Sequence, residues 1–98
     1  MVIVTARLEV KPEDLEKALA ESLVHVRRSR TEPGCISHSI NQDAENPNRL
    51  LFLELWQDRA ALAAHFGVPE AREFSRNLAA MAVARTDLTL YEGEPFTP

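Results

Sequence analysis

Apolar and polar residues follow two different periods along the first third of the chain. Alternation with period two predicts a β-strand over Val2–Val10. Pro12, followed by two acidic residues, is typical of a helix start. Apolar residues then recur every three or four positions as far as Val26. The pattern therefore predicts one long helix that ends near Arg30, before a Pro-Gly pair.

The remaining elements are shorter and are separated by turn residues. Extended stretches are predicted at Cys35–Gln42 and Arg49–Trp56, with an Asn-Pro turn between them. A short helix is predicted over Arg59–Phe66 and a second helix from Pro69, and the last strand over about Ala82–Tyr91. The two short helices count as one helical part that is broken at Gly67, so the order of elements is β-α-β-β-α-β. This order predicts a ferredoxin-like α+β fold with an antiparallel sheet, as a single domain over residues 1–98.

The third predicted strand is apolar on both of its faces. One face carries Leu51, Leu53 and Leu55, and the other carries Leu50, Phe52 and Trp56 with Glu54 among them. A strand of this kind is buried on both sides. The predicted helices can cover only one side of the sheet, so the pattern favours a homodimer in which two sheets pack face to face.

Composition narrows the classes of function. The net charge is −4 and no basic run is present, which argues against a nucleic-acid surface. No apolar run approaches the ~20 residues that span a bilayer, and no signal peptide is visible at the N-terminus. The single cysteine, Cys35, cannot form an internal disulfide and fits a reducing compartment. The expectation is a cytoplasmic protein without membrane or nucleic-acid partners.

Residues 32–66, EPGCISHSINQDAENPNRLLFLELWQDRAALAAHF, resemble the signature region of the antibiotic biosynthesis monooxygenase family. The matching pieces are the Glu-Pro-Gly-Cys turn, the Asn46-Pro47 turn, the strand that ends in Glu54-Leu55-Trp56, and His65 one short helix later. The resemblance implies a dimeric α+β barrel. It also implies a monooxygenase without cofactors, which oxidises a quinol or a polycyclic phenol with O2.

Some residues depart from particular branches of that family. The haem-degrading branch carries asparagine where this chain has Ala6 and tryptophan where it has His65, so haem cleavage is not expected. The polyketide-oxidising branch resembles this chain at Trp56 but carries asparagine at the position of Phe52. Two alternatives stay open on the same scaffold: a non-catalytic dimer that binds or senses a small ligand, and an isomerase or lyase.

Cofactor-free oxygenation needs a base, an apolar cavity and a group that stabilises an anion. His65 is the first candidate for the base, since an imidazole titrates near neutral pH, and His38 is the second. Trp56 and Phe52 are candidates for stacking on a flat aromatic substrate, and Arg76 for facing the cavity.

The other chemically notable residues receive structural interpretations. His25 lies at the edge of the first helix's apolar stripe and is expected to be solvated. Glu54 is expected to pair with an arginine, Arg7 or Arg85. The three histidines lack a metal-ligand spacing, so no metal site is predicted, and no glycine-rich phosphate loop is present. Cys35 is interpreted as a small buried thiol.

Overall fold

A computed structural model describes all 98 residues of the chain. Its fold is one antiparallel sheet of four strands with helices on one face. The strands are β1 (Val2–Glu9), β2 (Cys35–Gln42), β3 (Arg49–Trp56) and β4 (Asp87–Glu92). The helices are α1 (Leu15–Ser29), α2 (Arg59–Gly67) and α3 (Pro69–Met81), and a 3-10 turn at Pro12–Asp14 precedes α1. The sheet order is β2-β3-β1-β4, which confirms the ferredoxin-like fold.

The last strand is shorter than the sequence predicts. It begins at Asp87 rather than at Ala82. Ala82 forms only an isolated bridge to Val10, and the chain from there to Asp87 is irregular. Leu88 and Leu90 are about half exposed because β4 is an edge strand with no helix over it. The strand prediction over 82–86 was therefore wrong.

The alternation along β3 divides its side chains between the two faces of the sheet, as predicted. Leu50, Phe52, Glu54 and Trp56 are buried under the helices together with the even-numbered residues of β1. Leu51, Leu53 and Leu55 point to the opposite face, which no helix covers, and are only partly buried.

None of the helices has both the length and the apolar character that crossing a membrane requires.

A β-bulge changes the start of β2. The register between β2 and β3 shifts between Cys35 and Ser37, so Cys35 pairs with Trp56 and packs against the core. Strict period-two alternation would put Cys35 on the face opposite His38, but the extra residue reverses the alternation and puts the two on the same face. Ile36, the residue inside the bulge, is 54% exposed instead of sharing the buried face with His38.

Gly34 lets the chain turn sharply from α1 into β2. Its φ is +82°, a left-handed conformation that costs other residues energy. A Cβ atom on Gly34 would lie 2.5 Å from the Cβ of Ala61 in α2, so the turn also packs directly against that helix. The Gly34 carbonyl accepts a hydrogen bond from the Gln57 amide at 2.8 Å, which joins the turn to the end of β3.

We expect Gly34→Ala to lower the free energy of unfolding by about 2–4 kcal/mol, because it adds both backbone strain and a clash. Gly67→Ala is the matched control, since a Cβ there meets no atom within 4 Å; its expected effect is below about 1 kcal/mol. Urea unfolding of both variants measures the difference. Equal stability of the two variants would contradict the role of this turn.

Candidate active site

The three histidines of the chain lie together beneath the helices. His25 comes from α1, His38 from β2 and His65 from α2, and one nitrogen from each ring lies within 4.8 Å of the others. All three residues are buried, with exposed fractions of 7%, 2% and 4%. The prediction that His25 is solvated was therefore wrong. Its ring stacks on Phe74 of α3, with ring centroids 4.1 Å apart.

Glu32 orients His65. One carboxylate oxygen of Glu32 lies 2.8 Å from Nδ1 of His65, and the other accepts a hydrogen bond from Arg28 at 3.1 Å. A carboxylate at Nδ1 keeps a proton on that nitrogen and leaves Nε2 with the lone pair of the neutral ring. Nε2 of His65 makes no hydrogen bond within the chain, so it is the nitrogen that can accept a proton from a bound molecule.

Glu54 is a buried carboxylate whose partners are not arginines. Its Oε1 accepts a hydrogen bond from Nε1 of Trp56 at 2.9 Å and lies 3.3 Å from Nε2 of His38. Burial alone would raise the pKa of Glu54, but the neighbouring His38 imidazole and the Trp56 N–H outweigh it and hold that pKa below its usual range. The expected pairing of Glu54 with Arg7 or Arg85 was wrong, because side chains inside the sheet face satisfy it instead.

His38 is the least satisfied of the three imidazoles. Its side chain is fully buried, and neither ring nitrogen has a hydrogen-bond partner of good geometry. The contact with Glu54 at 3.3 Å is the only polar neighbour of Nε2 at ion-pair distance. Buried polar groups without partners are uncommon in folded proteins, so this ring is an unusual feature of the site.

His25 is held in its neutral form. Burial, followed by coulombic repulsion from the neighbouring His38, His65 and Arg28 side chains, lowers the pKa of His25 to about 3. Nη2 of Arg28 lies 2.9 Å from Nδ1 of His25. Because an arginine can only donate, the lone pair of His25 is on Nδ1 and its proton is on Nε2.

A cavity of about 640 Å³ opens beside this cluster, between α3 and the sheet. His25, His65 and Glu54 line it together with aromatic and aliphatic side chains, among them Phe52 and Phe74. A largely apolar cavity with a few convergent polar groups is the usual form of a small-molecule site. The cavity is large enough for a flat ligand of several fused rings, since ligand pockets commonly measure about 300–1,000 Å³.

The structure brings together some of the predicted site residues and not others. His65 and Phe52 line the cavity, as the hypothesis for them requires. His38 and Trp56 lie behind it, fully buried in the core, and Arg76 is exposed and does not line it. Two other arginines, Arg72 and Arg85, line the cavity instead.

Three residues of the site were missed from the sequence: His25, Arg28 and Glu32. The buried positions of α1 are Ala18, Ser22, His25, Val26 and Ser29, which follow a helical spacing of four, three, one and three. Polar residues occupy three of these five positions, so a search for apolar residues alone places the buried stripe wrongly. A histidine in phase with Ala18 and Val26 was the signal that pointed to an inward ring.

Comparison with known proteins identifies a family whose model matches most of the chain. The family model for antibiotic biosynthesis monooxygenase matches residues 1–77. The chain belongs to the antibiotic biosynthesis monooxygenase family. The matched range includes all three histidines together with Glu32 and Glu54.

Individual proteins resemble the chain along most of its length. It is 32% identical to "Putative monooxygenase YcnE" of Bacillus subtilis, over 91% of this chain and 99% of that protein. It is 35% identical to the uncharacterized protein sll1783 of Synechocystis over 93% of its own length, but it spans only 62% of that relative. A crystal structure of an antibiotic biosynthesis monooxygenase superposes with a TM-score of 0.90 at 27% identity, covering 97% of this chain and 100% of the other.

We expect His25 to make the protein less stable as the pH falls from 7 to 5. The unfolded chain binds a proton at His25 near pH ~6.5, whereas the folded chain binds it only near 3, so unfolding takes up a proton in this range. Stability is therefore lost as the pH falls, by about 2 kcal/mol at most between pH 6.5 and 5.

Urea unfolding at pH 7 and pH 5 measures this loss in the wild type and in His25→Phe. The phenyl ring keeps the stacking on Phe74 and cannot titrate, so the variant should lose less stability than the wild type. Glu54, whose pKa is lowered in the folded chain, adds a loss of the same sign near pH 5 to both proteins, so the comparison between them isolates His25. An identical pH dependence in the two proteins would show that His25 does not titrate as proposed.

Proposed function

We propose that this protein is a cofactor-independent monooxygenase that oxidises a quinol or a polycyclic phenol with O2. The family supports monooxygenase-like chemistry. The observation that carries the proposal is the Glu32–His65 pair beside the cavity, with 2.8 Å between the carboxylate and Nδ1. It supplies an oriented base where an aromatic molecule could bind.

The first step is removal of a phenolic proton by Nε2 of His65. The resulting imidazolium lies against the carboxylate of Glu32, so the positive charge forms where a negative charge is already fixed. Arg28 holds that carboxylate from the other side at 3.1 Å. This arrangement follows the logic of a catalytic triad, in which a carboxylate orients the base and stabilises its protonated form.

The electrons for oxygen come from the substrate. A hydroquinone anion transfers one electron to O2, and the radical pair combines to form a C–O bond at a ring carbon. Loss of water from the peroxide then leaves a hydroxyquinone, so hydroquinone plus O2 gives hydroxyquinone plus water. One oxygen atom stays in the product and the other leaves as water. The apolar part of the lining, including Phe52 and Phe74, would shield one side of the reactive intermediates from water.

Oxygen uptake with a panel of hydroquinones and hydroxylated polycycles tests this function. We expect His65→Ala to lower the rate by about 10²–10⁴-fold, the usual contribution of a general base. Glu32→Gln should lower it less, because the amide can still accept the Nδ1 hydrogen bond but carries no charge. Glu13→Gln, on the exposed turn before α1, is the matched control and should not change the rate.

Each contrary outcome points to a specific alternative. Uptake that is unchanged in His65→Ala would remove the base assignment. Binding of quinones without uptake would favour the non-catalytic ligand-binding protein, and conversion of a substrate without O2 consumption would favour an isomerase or lyase.

We also propose that the working form is a homodimer. The uncovered face of the sheet carries the leucines of β3 beside Ile3 and Tyr91, and all of these are only partly buried. An apolar face of this kind in a small domain is stabilised when a second sheet packs on it. The family's small-molecule sites and frequent dimers support this assignment.

Light scattering at micromolar concentration should give twice the mass of the 11.0 kDa chain. Leu53→Asp places a charge at the centre of the uncovered face and should give a monomer. Val24→Asp is the control, since Val24 is 67% exposed on α1, away from that face, and its variant should remain dimeric. A monomeric wild type would refute the dimer.

A further inference from the structure

The three buried imidazoles form a compact set of nitrogen donors. Each ring offers one nitrogen, and the three atoms lie within 4.8 Å of one another. Even with all three separations at that limit, the centre of the triangle is about 2.8 Å from each nitrogen, against about 2.0–2.1 Å for a Zn–N bond. Shifts of about 0.7 Å per ring would therefore bring all three nitrogens to bonding distance from one ion.

We propose that His25, His38 and His65 bind a divalent transition-metal ion of the zinc, nickel or copper class. Imidazole nitrogen is a preferred ligand for these ions, and three histidines leave one position of a tetrahedral site for water or another ligand. The proposal goes beyond the oxygenase function, because it assigns the cluster a ligand that the reaction does not use.

The surroundings of His38 and His65 fit this assignment. The fully buried His38 ring has no well-formed hydrogen bond at either nitrogen, so it has a lone pair without a donor. Glu32 at Nδ1 of His65 leaves Nε2 for the ion, which is the carboxylate–histidine–metal arrangement common in metal sites.

The charges nearby partly compensate a divalent ion. Glu54 lies 3.3 Å from Nε2 of His38 and is buried with it, and Glu32 lies 2.8 Å from Nδ1 of His65. Two carboxylates therefore lie next to rings that would carry a charge of +2. Arg28 is the one cation in contact with the ring system, through Nδ1 of His25.

Arg28 must release His25 before the ion can bind. A neutral imidazole has one lone pair, and that of His25 now accepts the Arg28 hydrogen at 2.9 Å. If the ion takes Nδ1, it replaces this hydrogen; if it takes Nε2, the ring proton must move to Nδ1, where Arg28 can no longer donate. Arg28 can keep its contact with Glu32 at 3.1 Å in either case.

An ion on Nε2 of His65 also removes the lone pair that the proposed oxygenase uses as its base. The metal-bound protein should therefore be inactive as an oxygenase, and the metal-free protein should be the active form. A proton and a metal ion therefore compete for the same lone pair, on Nε2 of His65.

Titration of tag-free, chelator-treated protein with Co²⁺ tests the site without any organic substrate. We expect one equivalent to bind per chain and to give the intense visible absorption of tetrahedral Co²⁺. His38→Phe fills the same aromatic space without a donor and should abolish the band, whereas Cys35→Ser should retain it and so exclude the thiol as a ligand. Arg28→Leu should bind Co²⁺ more tightly than the wild type, because the competing donor is gone.

A second measurement needs no variant. The chain has only three histidines, so ¹⁵N-histidine labelling reports on this cluster alone. Zn²⁺ should shift the imidazole nitrogen resonances of all three rings together. Zn²⁺ that leaves these resonances unchanged, Co²⁺ that stays octahedral, or a tetrahedral band that survives in folded His38→Phe would each overturn the proposal.

Discussion

The carboxylate of Glu32 is the constraint on which the site depends. It accepts a hydrogen bond from Arg28 on α1 and contacts Nδ1 of His65 on α2, so it joins two helices that approach the sheet from different directions. Glu32 itself lies in the turn that Pro33 and Gly34 force on the chain. The sharp turn and its packing on Ala61 therefore help to position His65, the proposed base, as well as the fold.

Burial of three imidazoles in so small a domain works against stability. A buried polar group without a partner costs about 1–3 kcal/mol, and His38 has no hydrogen bond of good geometry. A phenyl or aliphatic ring at the same place would avoid this cost. The protein instead surrounds the rings with aromatic side chains and two carboxylates, which is the pattern expected where function, and not packing alone, selects the residues.

Local periodicity was enough to predict most of the fold, because each strand of the sheet has one face under the helices. β3 was predicted over its full length, and its two apolar faces correctly indicated an uncovered side of the sheet. The edge strand β4 was predicted too long, because Ala82–Ala84 is apolar enough to continue a strand but pairs only at Ala82. The bulge at Cys35 was not visible either, since one inserted residue leaves no mark in the composition of a strand.

The site was less predictable than the fold for a physical reason. His65 was predicted from its imidazole and from its place in the family resemblance, but His25, Arg28 and Glu32 contribute only through contacts between separate elements. Spacing along the chain does not report that the rings of α1, β2 and α2 meet under one sheet face. The prediction of an arginine partner for Glu54 was wrong for the same reason. Its neighbour His38 lies on the adjacent strand, directly opposite Glu54 in the register of β2 and β3.

That register suggests how one scaffold can carry different chemistry. Alternate residues of β3 face the helices. Phe52 lines the cavity, Glu54 brings a buried carboxylate next to His38, and Trp56 fills the core. Trp56 also donates a hydrogen bond to Glu54, so a substitution there disturbs the buried charge, whereas a substitution at Phe52 changes the cavity wall without removing that bond. The uncovered leucines between them belong to the opposite face, so changes in association and changes in the site can arise independently along the same strand.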